Sequence, residues 1–70
     1  MEWTETPESS NLLRFGYEAT TQVLTVEFKN GGVYNYFDVP ENVHEEMKAA
    51  PSKGQFLAKV IKTSFRYARQ

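Results

Sequence analysis

The sequence predicts an α+β fold, in which a three-stranded antiparallel meander is followed by two helices packed on one face of the sheet. Three observations support this prediction. Two segments alternate apolar and polar residues as strands do, an Asn-Gly pair marks a hairpin turn, and the C-terminal third places apolar residues at helical spacing. With 70 residues, 40% of them hydrophobic, and no cysteine, the chain supports one small domain stabilised by apolar packing.

The first predicted strand covers residues 11–17, the run NLLRFGY. Alternation places three of its apolar residues on one side: Leu13, Phe15 and Tyr17. Leu12 then lies on the opposite side. Residues 1–8 are polar and acidic, so we expect a flexible acidic tail outside a single domain of residues 9–70. The second predicted strand, VLTVEFK, has a clear core face formed by Leu24, Val26 and Phe28.

The loop after the second strand decides where Tyr34 and Tyr36 point on the third. A two-residue turn would direct both rings outward and bury Asn35, at a cost of roughly 1 to 3 kcal/mol if its amide lacks partners. A three-residue loop, with Gly31 or Gly32 in the left-handed conformation, would bring both tyrosines onto the core face. We favour the three-residue loop because tyrosine can bury its ring and keep its hydroxyl at a wet edge.

The first predicted helix begins near Pro40, which suits a first helical turn, with Asp38 or Val39 as its cap. Pro51 ends it, because the residue before a proline is pushed out of the helical region. Its apolar stripe is narrow and comprises Val43, Met47 and Ala50. The only histidine, His44, lies next to two glutamates on this helix, and we expect it on the surface.

The second predicted helix has the clearest signals. The run from Ser52 to Gln55 has the form of a capping box, and a wide apolar stripe follows it. That stripe comprises Phe56, Leu57, Val60, Ile61 and Phe65. If the helix continues to residue 69, four cations fall within an arc of about 80° on the opposite side and form a basic ridge. The residues of this predicted ridge are Lys59, Lys62, Arg66 and Arg69.

Charge is segregated along the chain, although the net charge is only −1. All nine acidic residues lie at or before Glu46, whereas six of the eight basic residues follow it. Such asymmetry has two interpretations that the sequence leaves open. The basic half binds an anionic partner, or the two halves neutralise each other in the fold.

Several classes of protein are disfavoured. The chain has no histidine pair for zinc, no glycine-rich phosphate loop and no nucleophile elbow, so we expect neither an enzyme, a cofactor, a metal site nor a small-molecule substrate. No apolar run approaches the ~20 residues of a membrane span, and the acidic N-terminus does not resemble a signal peptide. We therefore expect a cytoplasmic protein with no membrane partner.

Two functional hypotheses remain. In the first, the chain is a non-catalytic RNA-binding module whose ridge residues Lys59, Lys62, Arg66 and Arg69 contact phosphates, while Tyr34, Tyr36 and Tyr67 stack on bases. In the second, the uncovered face of the sheet binds another protein or a second copy of the chain. On the favoured hairpin parity, that face carries Val23, Thr25, Val33 and Phe37.

The ordered set of motifs resembles the KTSC domain over residues 9–67. The matching positions are Ser9-Ser10, Phe15-Gly16-Tyr17, Leu24, Val26, Phe28, Gly32, Tyr34, Tyr36, Val39-Pro40, Ser52, Gly54, Phe56 and Ile61. The family is named for its occurrence at the C-terminus of some lysyl-tRNA synthetases, and it also occurs as a stand-alone bacterial protein. The resemblance implies an association with RNA. This chain has Ala58 where many members are expected to have asparagine.

Overall fold

Five antiparallel strands form one sheet in the computed structural model, which describes all residues, 1–70. The strands, which neighbour one another in sequence order, are β1 (Glu2–Glu5), β2 (Leu12–Glu18), β3 (Val23–Phe28), β4 (Val33–Tyr36) and β5 (Tyr67–Arg69). Helix α1 is Glu41–Ala49, and helix α2 covers residues 53–64 as three consecutive segments, Lys53–Phe56, a π-helical Leu57–Ile61, and Lys62–Ser64. The α+β class is confirmed, but the sheet has five strands instead of three.

The first additional strand, β1, lies where the sequence predicted only a flexible tail. It pairs with β2 and places Trp3 directly opposite Gly16. A Cβ atom on Gly16 would lie 2.7 Å from Cε3 of Trp3, so this glycine makes room for the indole. The Arg14 guanidinium carbon lies 4.0 Å from the centre of the Trp3 ring, within the range of a cation–π contact. Residues 2–5 therefore extend the sheet.

An irregularity at the start of β2 reverses the predicted placement of its two leucines. Leu12 pairs with Phe28 and Arg14 pairs with Glu27, so Leu13 is the additional residue of a β-bulge. The bulge shifts the alternation by one residue. Leu12 is consequently 0% exposed beside Phe15, whereas Leu13 is 46% exposed. The expectation that Leu13 shares a face with Phe15 was wrong for this reason.

The β3–β4 hairpin has the three-residue loop that the sequence favoured. The Phe28 N–H donates to the Gly32 carbonyl at 2.8 Å, and Gly31 adopts a positive φ of 96° between them. Val26 therefore pairs with Tyr34 and Leu24 with Tyr36. Both tyrosines lie on the core face, and Tyr36 is only 2% exposed.

Helix α1 ends where predicted, since Ala50 is extended before Pro51, but its N-cap is Pro40, so the predicted cap at Asp38 or Val39 was wrong. The predicted residues Met47 and Val43 do pack on the core. The buried residues of α1 are His44 and Met47, and the His44 ring stacks on Tyr17 with centroids 4.3 Å apart. His44 is 1% exposed, so the expectation of a surface histidine was wrong. Burial, followed by the nearby Lys48 ammonium, lowers the pKa of His44.

Helix α2 begins as predicted and ends five residues early. The Ser52 hydroxyl accepts a hydrogen bond from the Gln55 N–H at 3.3 Å, which confirms Ser52 as the N-cap. After Ser64 the chain becomes extended at Phe65, and Tyr67–Arg69 pairs with β4. The otherwise unpaired edge of β4 supplies the backbone hydrogen bonds that the continued helix would have made internally. Neither helix has the length and apolar character that crossing a bilayer requires.

Both helices pack on the face of the sheet that bears Leu24 and Val26, as predicted. The buried apolar core comprises Leu12, Phe15, Tyr17, Leu24, Val26, Tyr36, Val39, Met47, Leu57 and Ile61. The Tyr17 hydroxyl reaches across this core and donates to the Val39 carbonyl at 2.6 Å, which satisfies a buried polar group at the start of α1.

Candidate nucleic-acid interface

A groove of about 490 Å³ lies at the β5 end of the core face. Strands β3, β4 and β5, the β3–β4 loop and the last turn of α2 contribute its walls. We call it the tyrosine groove; its lining residues are Phe28, Asn30, Gly32, Tyr34, Tyr36, Lys62, Tyr67 and Arg69. It combines four aromatic side chains with two cations, and no carboxylate lines it.

The pairing of β5 with β4 assembles this groove. Tyr36 pairs with Tyr67, and Tyr34 pairs with Arg69. Directly opposite residues of an antiparallel pair share a face of the sheet. Tyr67 and Arg69 therefore join the row that already carries the two tyrosines of β4. The side chains of Tyr67 and Arg69 are exposed in this row.

The aromatic rings form an inclined cluster. The Tyr67 ring lies 5.7 Å from the rings of both Tyr34 and Tyr36, at interplanar angles of 49° and 38°. Phe28 contacts Tyr34 edge to face at 5.6 Å. Tyr67 is 60% exposed and presents a free ring, whereas Tyr36 belongs to the core. Burial, together with the neighbouring Tyr34 and Tyr67, raises the pKa of the Tyr36 hydroxyl, which therefore stays protonated at neutral pH.

The two cations of the groove lie beside its aromatic rings. The Lys62 ammonium is 5.7 Å from the centre of the Phe28 ring, and the Arg69 guanidinium carbon is 5.7 Å from the centre of the Tyr34 ring. All ion pairs of the molecule involve other residues. Lys62 and Arg69 are thus available to an anion that enters the groove.

The other two residues of the predicted ridge lie elsewhere. Arg66 forms an ion pair with Asp38 at 3.0 Å on the surface, where both side chains are 77% exposed, and its guanidinium lies over Phe37. Lys59 lines a shallow, separate depression near Pro51. A single helical ridge does not exist, because α2 ends at Ser64. Five of the seven proposed site residues nevertheless meet in the tyrosine groove: Tyr34, Tyr36, Lys62, Tyr67 and Arg69.

No carboxylate lines the groove, and several carboxylates form ion pairs elsewhere. Lys48 bridges Glu2 at 3.0 Å and Glu45 at 2.9 Å, which connects α1 to β1, the strand at the opposite edge of the sheet from β5. The hydrogen bond from Lys48 lowers the pKa of the Glu2 carboxyl. One ammonium thus pairs with two carboxylates at this end of the molecule, while the two groove cations remain without acidic partners. Internal pairing of the two halves is therefore seen in part, and the binding of an anionic partner stays a prediction.

The face of the sheet opposite the helices carries polar contacts beside the Trp3 indole. The Thr25 hydroxyl donates to the Asn35 amide oxygen at 2.7 Å, and Gln70 donates to the same oxygen at 3.0 Å. Arg14 and Glu27 form an ion pair at 3.1 Å on neighbouring strands. Of the residues proposed for protein contact on this face, Thr25 is buried, and Val23, Val33 and Phe37 are half-buried.

Three groove residues were not among the sequence-predicted site residues. The alternation of β3 predicted Phe28 on the core face. With the three-residue loop, the same face carries Tyr34, so the sequence did indicate that the two rings lie close together. Asn30 and Gly32 belong to the hairpin turn and line the groove because the loop folds beside its aromatic wall. The Asn30 side chain accepts a hydrogen bond from the Gly32 N–H at 2.9 Å, which orders this rim.

The fold and this groove define a small α+β module with a five-stranded sheet and one aromatic, cationic surface. The KTSC domain model matches residues 8–65, so the chain belongs to the KTSC domain family. The chain is 54% identical over 61 residues to a lysine–tRNA ligase of Trichormus variabilis and 52% identical to one of Nostoc. The aligned region is 87% of this chain but spans only 11% of the length of those ligases.

Relatives of similar length also exist. An uncharacterised protein of Stutzerimonas stutzeri is 38% identical over 63 residues, which are 89% of each chain. The crystal structure of a KTSC domain protein from Yersinia pestis is 35% identical, with a TM-score of 0.87 and 97% of each chain covered. That coverage includes most of β1 and β5, which lie outside residues 8–65.

Proposed function

We propose that this chain is a non-catalytic cytoplasmic module that associates with RNA through the tyrosine groove. The observation that supports this proposal is the meeting of two cations without acidic partners, Lys62 and Arg69, with the exposed ring of Tyr67 in one groove free of carboxylates. Lys and Arg bind phosphate oxygens, and aromatic rings stack on unpaired bases. The similarity to part of two lysine–tRNA ligases agrees with an RNA partner.

The absence of carboxylates from the groove weakens an objection to this proposal. A chain with nine carboxylates would repel a polyanion if they surrounded the binding surface. Instead, Glu2 and Glu45 share an ion pair with Lys48 near the far edge of the sheet, and Asp38 is paired with Arg66. The groove is consequently a positive region on a protein of net charge −1.

Titration with a labelled tRNA and with a labelled single strand, at about 50 and about 200 mM salt, tests the proposal. We expect dissociation constants near the range of about 10⁻⁴ to 10⁻⁶ M typical of non-specific attachment, weaker at the higher salt. The double variant Lys62→Gln, Arg69→Gln should bind more weakly, while Lys59→Gln, outside the groove, is the matched control. If neither RNA binds at the lower salt concentration, the proposal is overturned.

A further inference from the structure

We infer that the tyrosine groove accepts one unpaired nucleotide, so that the RNA bound by this chain is single-stranded at the point of contact. This inference rests on the proposed function and specifies its substrate class. In it, the base stacks on Tyr67, the adjacent phosphates contact Lys62 and Arg69, and the Tyr36 hydroxyl is a hydrogen-bond donor instead of a stacking surface.

The dimensions of the groove support a single nucleotide. Its volume of about 490 Å³ lies within the range of about 300 to 1,000 Å³ in which pockets enclose one small ligand. The bases of an RNA duplex are stacked inside the helix and are not available to such a concavity. Modules that recognise duplex RNA instead contact phosphates and 2′-hydroxyls over about 16 base pairs. The groove offers only two cations for such contacts.

The arrangement of the rings supports the same conclusion and separates the roles of the tyrosines. The Tyr67 ring is inclined by 38° to Tyr36 and 49° to Tyr34, so neither neighbour covers its face in a parallel stack. That face is free for a base. Tyr36 is 2% exposed and cannot offer its ring, but it lines the groove and its hydroxyl remains protonated.

The number of groove cations predicts how steeply salt weakens the complex. For single strands, the logarithm of the binding constant falls with the logarithm of salt concentration by about 0.7 per phosphate contact. Two cations therefore predict a slope of about −1.4, whereas all four cations of the sequence-predicted ridge would give about −2.8. Arg66→Gln should leave the slope unchanged, because Arg66 is paired with Asp38 outside the groove.

Fluorescence anisotropy with the full chain provides the test. The probe is a labelled RNA of about ten unpaired nucleotides, used alone and annealed to its complement, at several salt concentrations. We expect the single strand to bind at least about tenfold more tightly, since stacking on an aromatic ring is available only to an unpaired base, with a salt slope of about −1.4. Equal affinity for both forms would overturn this inference and leave the proposed function standing. Binding to neither form would overturn both.

Variants of Tyr67 test the stacking role directly. Tyr67→Ala should weaken single-strand binding by roughly 5- to 150-fold, and Tyr67→Phe should keep most of the affinity because it keeps the ring. Leu13→Ala, at an exposed apolar residue outside the groove, is the control. If Tyr67→Phe loses as much affinity as Tyr67→Ala, Tyr67 does not act by stacking. The phenylalanine variant also separates this outcome from a loss of β5, since it preserves the packing against Tyr34 and Tyr36.

Discussion

Tyr36 and Tyr67 lie opposite each other across the β4–β5 ladder, with ring centroids 5.7 Å apart. The first is a core residue, and the second is 60% exposed. This pair joins the hydrophobic core to the candidate site, because the strand that packs against Tyr36 also carries Tyr67 and Arg69. The groove exists only while β5 remains paired with β4.

Ala68→Pro should therefore reduce RNA binding without unfolding the domain. Ala68 pairs with Asn35, and proline would remove the backbone donor at the centre of this three-residue strand. We expect faster amide hydrogen exchange in β5, unchanged exchange in β2 and β3, and weaker binding. Ala68→Val keeps the donor and is the control. Undiminished binding by Ala68→Pro would show that β5 does not build the site.

Leu12→Ala and Leu13→Ala form a matched pair that tests the β-bulge. Leu12 is fully buried, so its truncation should lower the free energy of unfolding by about 2 to 5 kcal/mol. Leu13 is 46% exposed, and its truncation should change the free energy of unfolding by about 0.5 kcal/mol or less. Urea denaturation measures both. The reverse order of the two effects would mean that β2 has the regular alternation and no bulge.

Gly16→Ala should displace Trp3. The new methyl group would lie 2.7 Å from Cε3 of Trp3 and 2.8 Å from the sulfur of Met1, so the indole must move. Overpacking of this kind costs about 1 to 3 kcal/mol. Because Trp3 is the only tryptophan, its emission reports the displacement directly, with a shift to longer wavelength as it becomes more exposed.

Gly31→Ala is the control for that experiment. Gly31 has a positive φ of 96° and no neighbour within 4 Å of an added Cβ, so alanine there introduces backbone strain without a clash. It should lower stability and leave the tryptophan emission unchanged. If Gly16→Ala also leaves the tryptophan emission unshifted, Trp3 does not pack over β2.

Burial of His44 should make the protein less stable as the pH falls. The pKa of His44 is lowered in the folded state by burial and then by Lys48, while the nearby carboxylates of Glu2, Glu45 and Glu41 oppose the shift. Below about pH 6.5, the ordinary pKa of histidine, the unfolded chain binds the proton more readily than the folded protein. The free energy of unfolding should therefore decrease from pH 7 toward pH 5.

His44→Phe isolates this contribution, because it keeps an aromatic ring against Tyr17 and removes the titrating group. Its stability should depend less on pH between 7 and 5 than that of the unsubstituted protein, as measured by thermal unfolding in matched buffers. Identical pH dependence of the two proteins would show that His44 does not carry the effect. The carboxylates contribute mainly at lower pH, since their ordinary pKa values are near 4.

The elements that could be predicted from the amino-acid sequence are those with local causes. The alternation at Leu24 and Val26, the three-residue loop with Gly31 in the left-handed conformation, the cap at Ser52 and the stop before Pro51 all act within a few residues. These signals predicted β3, β4, the end of α1, the start of α2 and the inward orientation of Tyr34 and Tyr36. The basic and aromatic composition of the site was also visible.

The positions of the two edge strands, the bulge and the groove depend on contacts between residues far apart in the sequence. In the run SFRYARQ, Phe65, Tyr67 and Arg69 alternate as a strand would, while the preceding helical stripe continues through Phe65, so local preference did not choose between helix and strand. Pairing with the free backbone groups of β4 favours the strand. Those groups are available only after the sheet has formed. Because Tyr67 and Arg69 reach Tyr34 and Tyr36 through this non-local pairing, the site could not be assembled from periodicity alone.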